Sequence, residues 1–214
     1  GLKYEQRHGQ NYYLSQLNAE EIHIIKTAES RLSVLELINK WLERIPFFDM
    51  KYWKNYSAIS ASGSQHPFWG DYRHILEQSL SPEEKNNIEA FDKLIIGEEQ
   101  DSERRLSPAA CRAALFIMSY RGYPMLELPF RLLDILLETD NQLGSWRYRH
   151  INMVRRMIGG RIGTGGSTGA GYLQGAMEKH YVFKELSQLN SFLMERRKLP
   201  KLPEEITAKL GYES

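Results

Sequence analysis

The chain has 214 residues, enough for one large domain or two small ones and for a real hydrophobic core. Its composition, 42% hydrophobic and 26% charged, is ordinary for a globular protein, and 28 Lys and Arg against 27 Asp and Glu leave a net charge of +1. That balance gives no electrostatic reason to expect nucleic acid or an anionic membrane. The single cysteine, Cys111, excludes an intrachain disulfide and a thiolate zinc cluster. It lies in the apolar run AACRAALFIM and reads as a buried, inert thiol.

Taken in order, the N-terminus GLKYEQRHGQNYY is too polar for a secretory signal and carries no initiator Met, as though cut from something longer. No stretch approaches the roughly 20 apolar residues of a membrane span, so the cytosol is the expected compartment. SRLSVLELINKWLERI (30–45) sets Leu32, Leu35, Ile38, Leu42 and Ile45 at helical steps, with Ser30 or Ser33 as cap and Pro46 as stop. ISASGSQHPFWG (59–70) reads as a loop. SPEEKNNIEAFDKLII (81–96) opens with Ser-Pro and an acidic first turn, a helix start that suits the macrodipole. GEEQDSERR (97–105) is a solvated connection, and SPAACRAALFIMSY (107–120) is a second Ser-Pro helix. A longer helix is expected from about Leu126 to Ile158, with Pro129 in its first turn, where the missing N–H costs nothing. A final pair covers about 171–195 and 203–210. Period-2 alternation never persists, so the expected fold class is all-α, a helical bundle.

On the long helix, Leu143, Trp146, His150, Met153, Val154 and Met157 fall at steps of three and four and form one stripe, apolar but for one imidazole. Arg147, Arg149, Arg155 and Arg156 flank it, with Arg161 just beyond. Two readings stand. His150 is either a core histidine with a hydrogen-bond partner or an axial ligand to haem. Haem asks for a neutral imidazole, an apolar polarizable wall and cations near its propionates. Zinc fits poorly, because no second ligand sits at i+3 or i+4.

After Gly159-Gly160, a plausible helix stop, comes GTGGSTG (163–169), four glycines and three hydroxyls. It is not a phosphate-binding P-loop, since Thr168-Gly169 replaces the closing Lys-Ser/Thr, and no strand precedes it. It is either a flexible linker or a ligand-closing loop whose amides and Thr164 and Ser167 hydroxyls suit a small zwitterion.

WRYRHINMVRRMIG followed by GTGGSTGAGYL resembles the haem-dependent tryptophan 2,3-dioxygenase family, whose pattern is W-R-[YF]-x-H and then GTGGSSG. The spacing of 14 from His150 to Thr164 matches too. The likeness extends through VLELINKWLERIP (34–46), RRLSPAACRAALFIMSYRGYP (104–124) and KHYVFKELSQLNSFL (179–193), covering roughly residues 30–200.

The resemblance implies a helical bundle of the tryptophan/indoleamine dioxygenase type, with residues 1–214 a single haem-binding domain. It implies haem b and a cytoplasmic homotetramer that converts L-tryptophan and dioxygen to N-formylkynurenine. It carries the proximal iron ligand to His150, the haem edge to Trp146 beside Met153, Val154 and Met157, and an aromatic position to Tyr172. Substrate contact falls on Thr164, with Gly165 and Gly166 giving mobility. Trp41, Arg44 and Pro46 match a second, non-catalytic tryptophan site, although Met125 replaces a further Arg there. Thr168 replaces a serine and keeps the hydroxyl. The family's distal-pocket residues have no counterpart in residues 1–30, and His8 aligns with a stretch that follows that pocket. The chain is therefore expected to be the C-terminal part of such an enzyme, working beside its N-terminal half. The alternatives are a haem-dependent hydroxylase of tyrosine or a substituted indole, and a helical module that binds haem or a partner without chemistry. Nucleic-acid binding through the five arginines is weak at a net charge of +1.

Overall fold

The computed structural model describes residues 16–48, 50–59, 66–97, 105–158 and 181–211. Among these the regular structure is entirely helical. The chain divides into two compact units, Gly1–Ile38 and Asn39–Ser214, with the boundary inside a helix.

Helix α1 (Ala19–Glu29) was not expected. It is closed by a reciprocal box in which the Asn18 carboxamide takes the Glu21 N–H and the Glu21 carboxylate takes the Asn18 N–H, both at 2.9 Å. It buries no residue, so capping rather than packing defines it. Helix α2 (Val34–Glu43) begins where Ser33, one of the two expected caps, places it. Ser33 and Glu36 form its N-terminal box, and Leu32 lies outside.

The expected loop at 59–70 is corrected at its end: Pro67 opens α3 (Pro67–Ser79), where a missing N–H is harmless. Phe68, Trp69, Tyr72 and Leu76 of α3 are all buried. The expected helix at 81–96 is three pieces. A 3-10 turn (Pro82–Glu84) leads to α4 (Asn86–Phe91), and a π turn follows over Asp92–Ile96. The widened turn is held from outside. Arg73 grips Asp92 with two nitrogens at 2.6 and 2.8 Å, and Arg112 donates to the Ile95 carbonyl at 2.9 Å.

Helix α5 (Pro108–Ser119) matches its expected bounds closely, capped by Ser107 on Ala110 N–H. It is the central rod, packed against the π turn, α6 (Pro124–Ile158) and α7 (Lys184–Leu189), and Cys111 is buried in it, in no disulfide. α6 starts two residues before the expected point, at Pro124. Pro129 therefore lies inside the helix rather than in its first turn and leaves the Met125 carbonyl without its i+4 donor. The expected helix at 171–195 is described only from 181. There it is α7 followed by a 3-10 turn over Asn190–Phe192. α8 (Glu204–Lys209) closes the described chain.

The core is aromatic. Phe68 is fully buried, with ring centroids of Trp69 at 4.8 Å, Trp53 at 5.0 Å and Phe116 at 6.0 Å. Tyr72 reaches through it, its hydroxyl donating to the Phe192 carbonyl at 2.8 Å and meeting Ser119 Oγ at 2.9 Å. His66 packs edge-on against Trp53 at 4.8 Å. Burial, with the Arg112 guanidinium adding to it, pushes the imidazole down to about 4. The folded chain therefore refuses a proton that the unfolded chain accepts below pH 6.5. Stability from this group is complete above pH 6.5 and is lost as pH falls towards 4. With partial exposure discounted, the loss should be about 1–2 kcal/mol, and His66→Gln should flatten it in urea midpoints compared at neutral pH and near pH 4.

After α8, Gly211 takes φ +93°, the left-handed cap, while Leu210 C=O accepts the Met125 N–H at the start of α6. An added Cβ would meet Pro124 at an ordinary 3.4 Å, so the cost of Gly211→Ala is backbone strain. Thermal unfolding should register it as about 1 kcal/mol, a drop of roughly 2–4 °C.

Candidate functional site

α6 is a rod about 52 Å long, and its residues sort by face. Leu126, Leu133, Asp140 and Ile151 are buried; their spacings of 7, 7 and 11 return to one line on a 3.6-residue helix. About a third of a turn away, a second line carries Met125, Leu128, Leu132, Ile135, Leu143, Trp146, Met153 and Met157, all exposed. Trp146 is 62% exposed, Met153 50% and Met157 74%.

His150 sits in this second line, half-buried. Among the described residues the stripe is thus largely exposed, with His150 half-buried within it. The imidazole lies flat against the Trp146 indole, with centroids 5.4 Å apart and planes inclined by 10°. The two are four residues apart, one helical turn, so the backbone alone brings them together. Among the described residues no side chain hydrogen-bonds to the His150 ring.

Arg149 and Arg156 are exposed on the flank of the stripe and Arg147 is half-buried. The side chains of Val154 and Arg155, and the whole of Arg161, Thr164, Gly165, Gly166, Ser167, Thr168 and Tyr172, lie outside the described residues, as does His8. A groove of about 480 Å³ opens on the far side of α6, lined by Asn141, Gly144, Ser145, Tyr148, Arg149 and Tyr181. Asn141, Ser145 and Tyr148 lie about half a turn from His150, so this groove is separate from the stripe.

At the C-terminal end of α2, Trp41 is half-buried and Arg44 exposed, with Arg44 Nε donating to the Lys40 carbonyl at 3.2 Å. Pro46 opens a 3-10 turn (Pro46–Phe48). Met125, at the start of α6, presents an exposed thioether.

Does this surface fit haem? A metal held by side chains alone needs three or four converging donors, and among the described residues no group of His, Cys, Asp and Glu converges. A porphyrin supplies its own equatorial nitrogens and asks for one imidazole set in apolar surface. The His150 stripe offers that combination.

The family model of tryptophan 2,3-dioxygenase matches residues 1–193. The chain belongs to the tryptophan 2,3-dioxygenase family. The match begins at residue 1, thirty residues before the motifs alone carry the likeness. Among curated relatives, a tryptophan 2,3-dioxygenase of Alteromonas mediterranea is 34% identical over 99% of this chain and 63% of its own length. One of Dictyostelium discoideum is 31% identical over 99% of this chain and 55% of its own. Tryptophan 2,3-dioxygenase B of Danio rerio is 34% identical over 94% and 51%. The chain thus spans between 51% and 63% of these relatives. Among the described residues, no helix is long and apolar enough to cross a membrane.

Asp140 and Glu185 escaped the sequence reading. Both are buried carboxylates, at 3% and 5% exposure. The available signal was a charge in the seven-residue line of Leu126 and Leu133.

Proposed function

We propose that this chain is the proximal, haem-bearing part of a cytosolic enzyme that uses dioxygen to open the indole ring of L-tryptophan, giving N-formylkynurenine. The observation that carries the reading is the exposed apolar stripe of α6 with His150 within it, in a chain of this family. His150 would hold haem b as its axial ligand, and Trp146, Met153, Val154, Met157 and Tyr172 would line the macrocycle. Haem, when bound, supplies the dioxygen chemistry.

The chain's own residues do the rest. The Trp146 indole restrains the imidazole plane, a stacking worth about 0.5–1.5 kcal/mol. The Thr164 hydroxyl and the Gly165 and Gly166 amides would take the carboxylate or ammonium of the amino acid, and the glycines would let the backbone come close to it. Trp41, Arg44 and Pro46 would form the second tryptophan site. With a thioether at Met125, that site has one cation fewer to pair with a carboxylate.

The stripe also says what else is needed. Its N-terminal half, Met125 to Ile135, lies more than two helical turns from His150, beyond any macrocycle held there, and calls for a protein partner. The rest of the enzyme, the part of the relatives that this chain does not span, is that partner, in a homotetramer. The same exposure favours a second reading, a module that binds haem or a helix without chemistry.

The deciding experiment gives the full protein haemin, L-tryptophan and dioxygen and assays N-formylkynurenine. A hydroxylated product from tyrosine or an indole would replace the substrate assignment. A Soret shift with no oxygen uptake would leave the non-catalytic module.

A further inference from the structure

Tyr52 closes the 3-10 turn Met50–Tyr52 and is half-buried. Two exposed lysines meet at its ring. Lys51 Nζ stands 4.7 Å from the ring centroid and Lys209 Nζ 4.5 Å from it. Lys51 is the sequence neighbour, whereas Lys209 comes from the last turn of α8, so it is the fold that brings the second charge. The backbone is fixed on both sides. Trp53 follows Tyr52 into the core at 4% exposure, and its indole N–H donates to the Phe47 carbonyl at 2.6 Å. Ile206 and Leu210 have no exposed surface, and the Leu210 carbonyl accepts the Met125 N–H at 3.2 Å, which seats the turn that carries Lys209. Asn55 joins the two sides, its Nδ2 donating to Glu205 Oε1 at 2.6 Å.

The cluster is rich in donors and poor in acceptors. Ammonium groups donate and never accept, and the phenol oxygen is the one side-chain acceptor in the trio. Glu205, one turn before Lys209 on α8, gives a carboxylate oxygen to Asn55, and among the described residues no carboxylate forms an ion pair with Lys209. The aromatic ring offsets part of the repulsion between the like charges but brings no negative charge of its own. The phenol responds to its neighbours: Lys51 first, then Lys209, hold it below its ordinary range against the burial that would raise it. Negative charge is therefore favoured at the hydroxyl end of this ring. A carboxylate would balance one ammonium and leave the other. A phosphate dianion balances both, and its separate oxygens can accept from the two lysines and from the phenol O–H.

We propose that Lys51, Tyr52 and Lys209 form a binding site for a phosphate dianion, either the free ion or a phosphate monoester. The site shares no residue with the His150 stripe and asks nothing of haem.

Calorimetric titration of the full protein at matched ionic strength, near pH ~8 where the probes are dianions, tests it. The probes are inorganic phosphate and phenyl phosphate, with acetate and chloride as monovalent controls. At least one of the two phosphates should bind saturably, and the controls should bind at least about tenfold more weakly. Which phosphate binds the more tightly tells the free ion from the ester. Lys51→Gln and Lys209→Gln should each weaken the dianion about tenfold, since each removes a charge-assisted bond, and Tyr52→Phe should weaken it about threefold. Both lysine variants should melt within about 2 °C of the parent when no phosphate is present, as changes at exposed positions do. The phenol gives a second readout, followed by carbon NMR and identified by its absence in Tyr52→Phe. By linkage, a bound dianion should move the Tyr52 ionisation back up towards its ordinary range. The proposal is overturned if neither phosphate binds the parent, or if acetate binds as tightly as phosphate. Parental affinity in either lysine variant would also overturn it, as would a Tyr52 ionisation indifferent to phosphate.

Discussion

Replacing His150 by alanine should abolish the saturable Soret shift on haemin titration and leave the fold almost unchanged. The two halves of that expectation come from different observations. The imidazole is the one nitrogen donor in an apolar stripe, so its loss would remove the bond to iron that the proposed function gives it. Changes one shell further out already cost metal sites 10–100-fold, so the loss of affinity should exceed about 100-fold. The side chain is only half-buried, and among the described residues its ring contact is the Trp146 stack, so unfolding should shift by no more than about 0.5 kcal/mol. Trp146→Ala separates the ligand from its support. It forfeits the stacking but keeps the nitrogen, and should weaken haemin binding by only about fivefold. An equal Soret response in parent and His150→Ala would remove His150 as the ligand. Equal losses in the two variants would mean that the stripe binds haemin as a greasy surface rather than through a coordinate bond.

The stripe itself was legible, its orientation was not. Steps of three and four identify residues that share a helix face, and Leu143 to Met157 do share one. The same arithmetic cannot say whether that face looks inward. α6 carries two apolar lines, and the buried one, Leu126, Leu133, Asp140 and Ile151, is the sparser, with a carboxylate in it. The exposed line is the denser of the two. Elsewhere the legible elements were those with both a start signal and a one-sided pattern, such as α5 behind Ser107-Pro108. α3 was missed because its start was absorbed into the expected 59–70 loop. Phe68, Trp69, Tyr72 and Leu76 share one side of the helix, but Pro67 looked like the end of a loop rather than a first turn. α1 was missed for a different reason. It buries nothing, and only the Asn18–Glu21 box betrays it. The break of 81–96 into 3-10, α and π segments depends on Arg73 and Arg112, which arrive from other helices and leave no mark in the local sequence.

Phe68→Ala should be the most damaging single truncation for stability and, unlike His150→Ala, should lower haemin binding only through loss of folded protein. Phe68 has no exposed surface and lies within 6.3 Å, centroid to centroid, of seven other rings from Trp53 to Tyr120. A buried Phe→Ala change costs about 3–5 kcal/mol as lost transfer energy and residual cavity. The upper end applies here, because rings on α3 and α5 cannot close the gap without moving the helices that bear them. Phe68→Leu, which refills most of the volume, should cost less than half as much. Urea midpoints measured on the three proteins give the comparison, and similar losses for leucine and alanine would show that ring geometry rather than volume sets the cost. The distribution of effects follows from the architecture. The aromatic cluster around Phe68 joins α3 to α5, and α6 packs on α5 and α7. A third of a turn round the same helix, the second apolar line is exposed among the described residues, so a residue there should be lost at little cost to the fold, and, on the proposed function, at a large cost to haem binding.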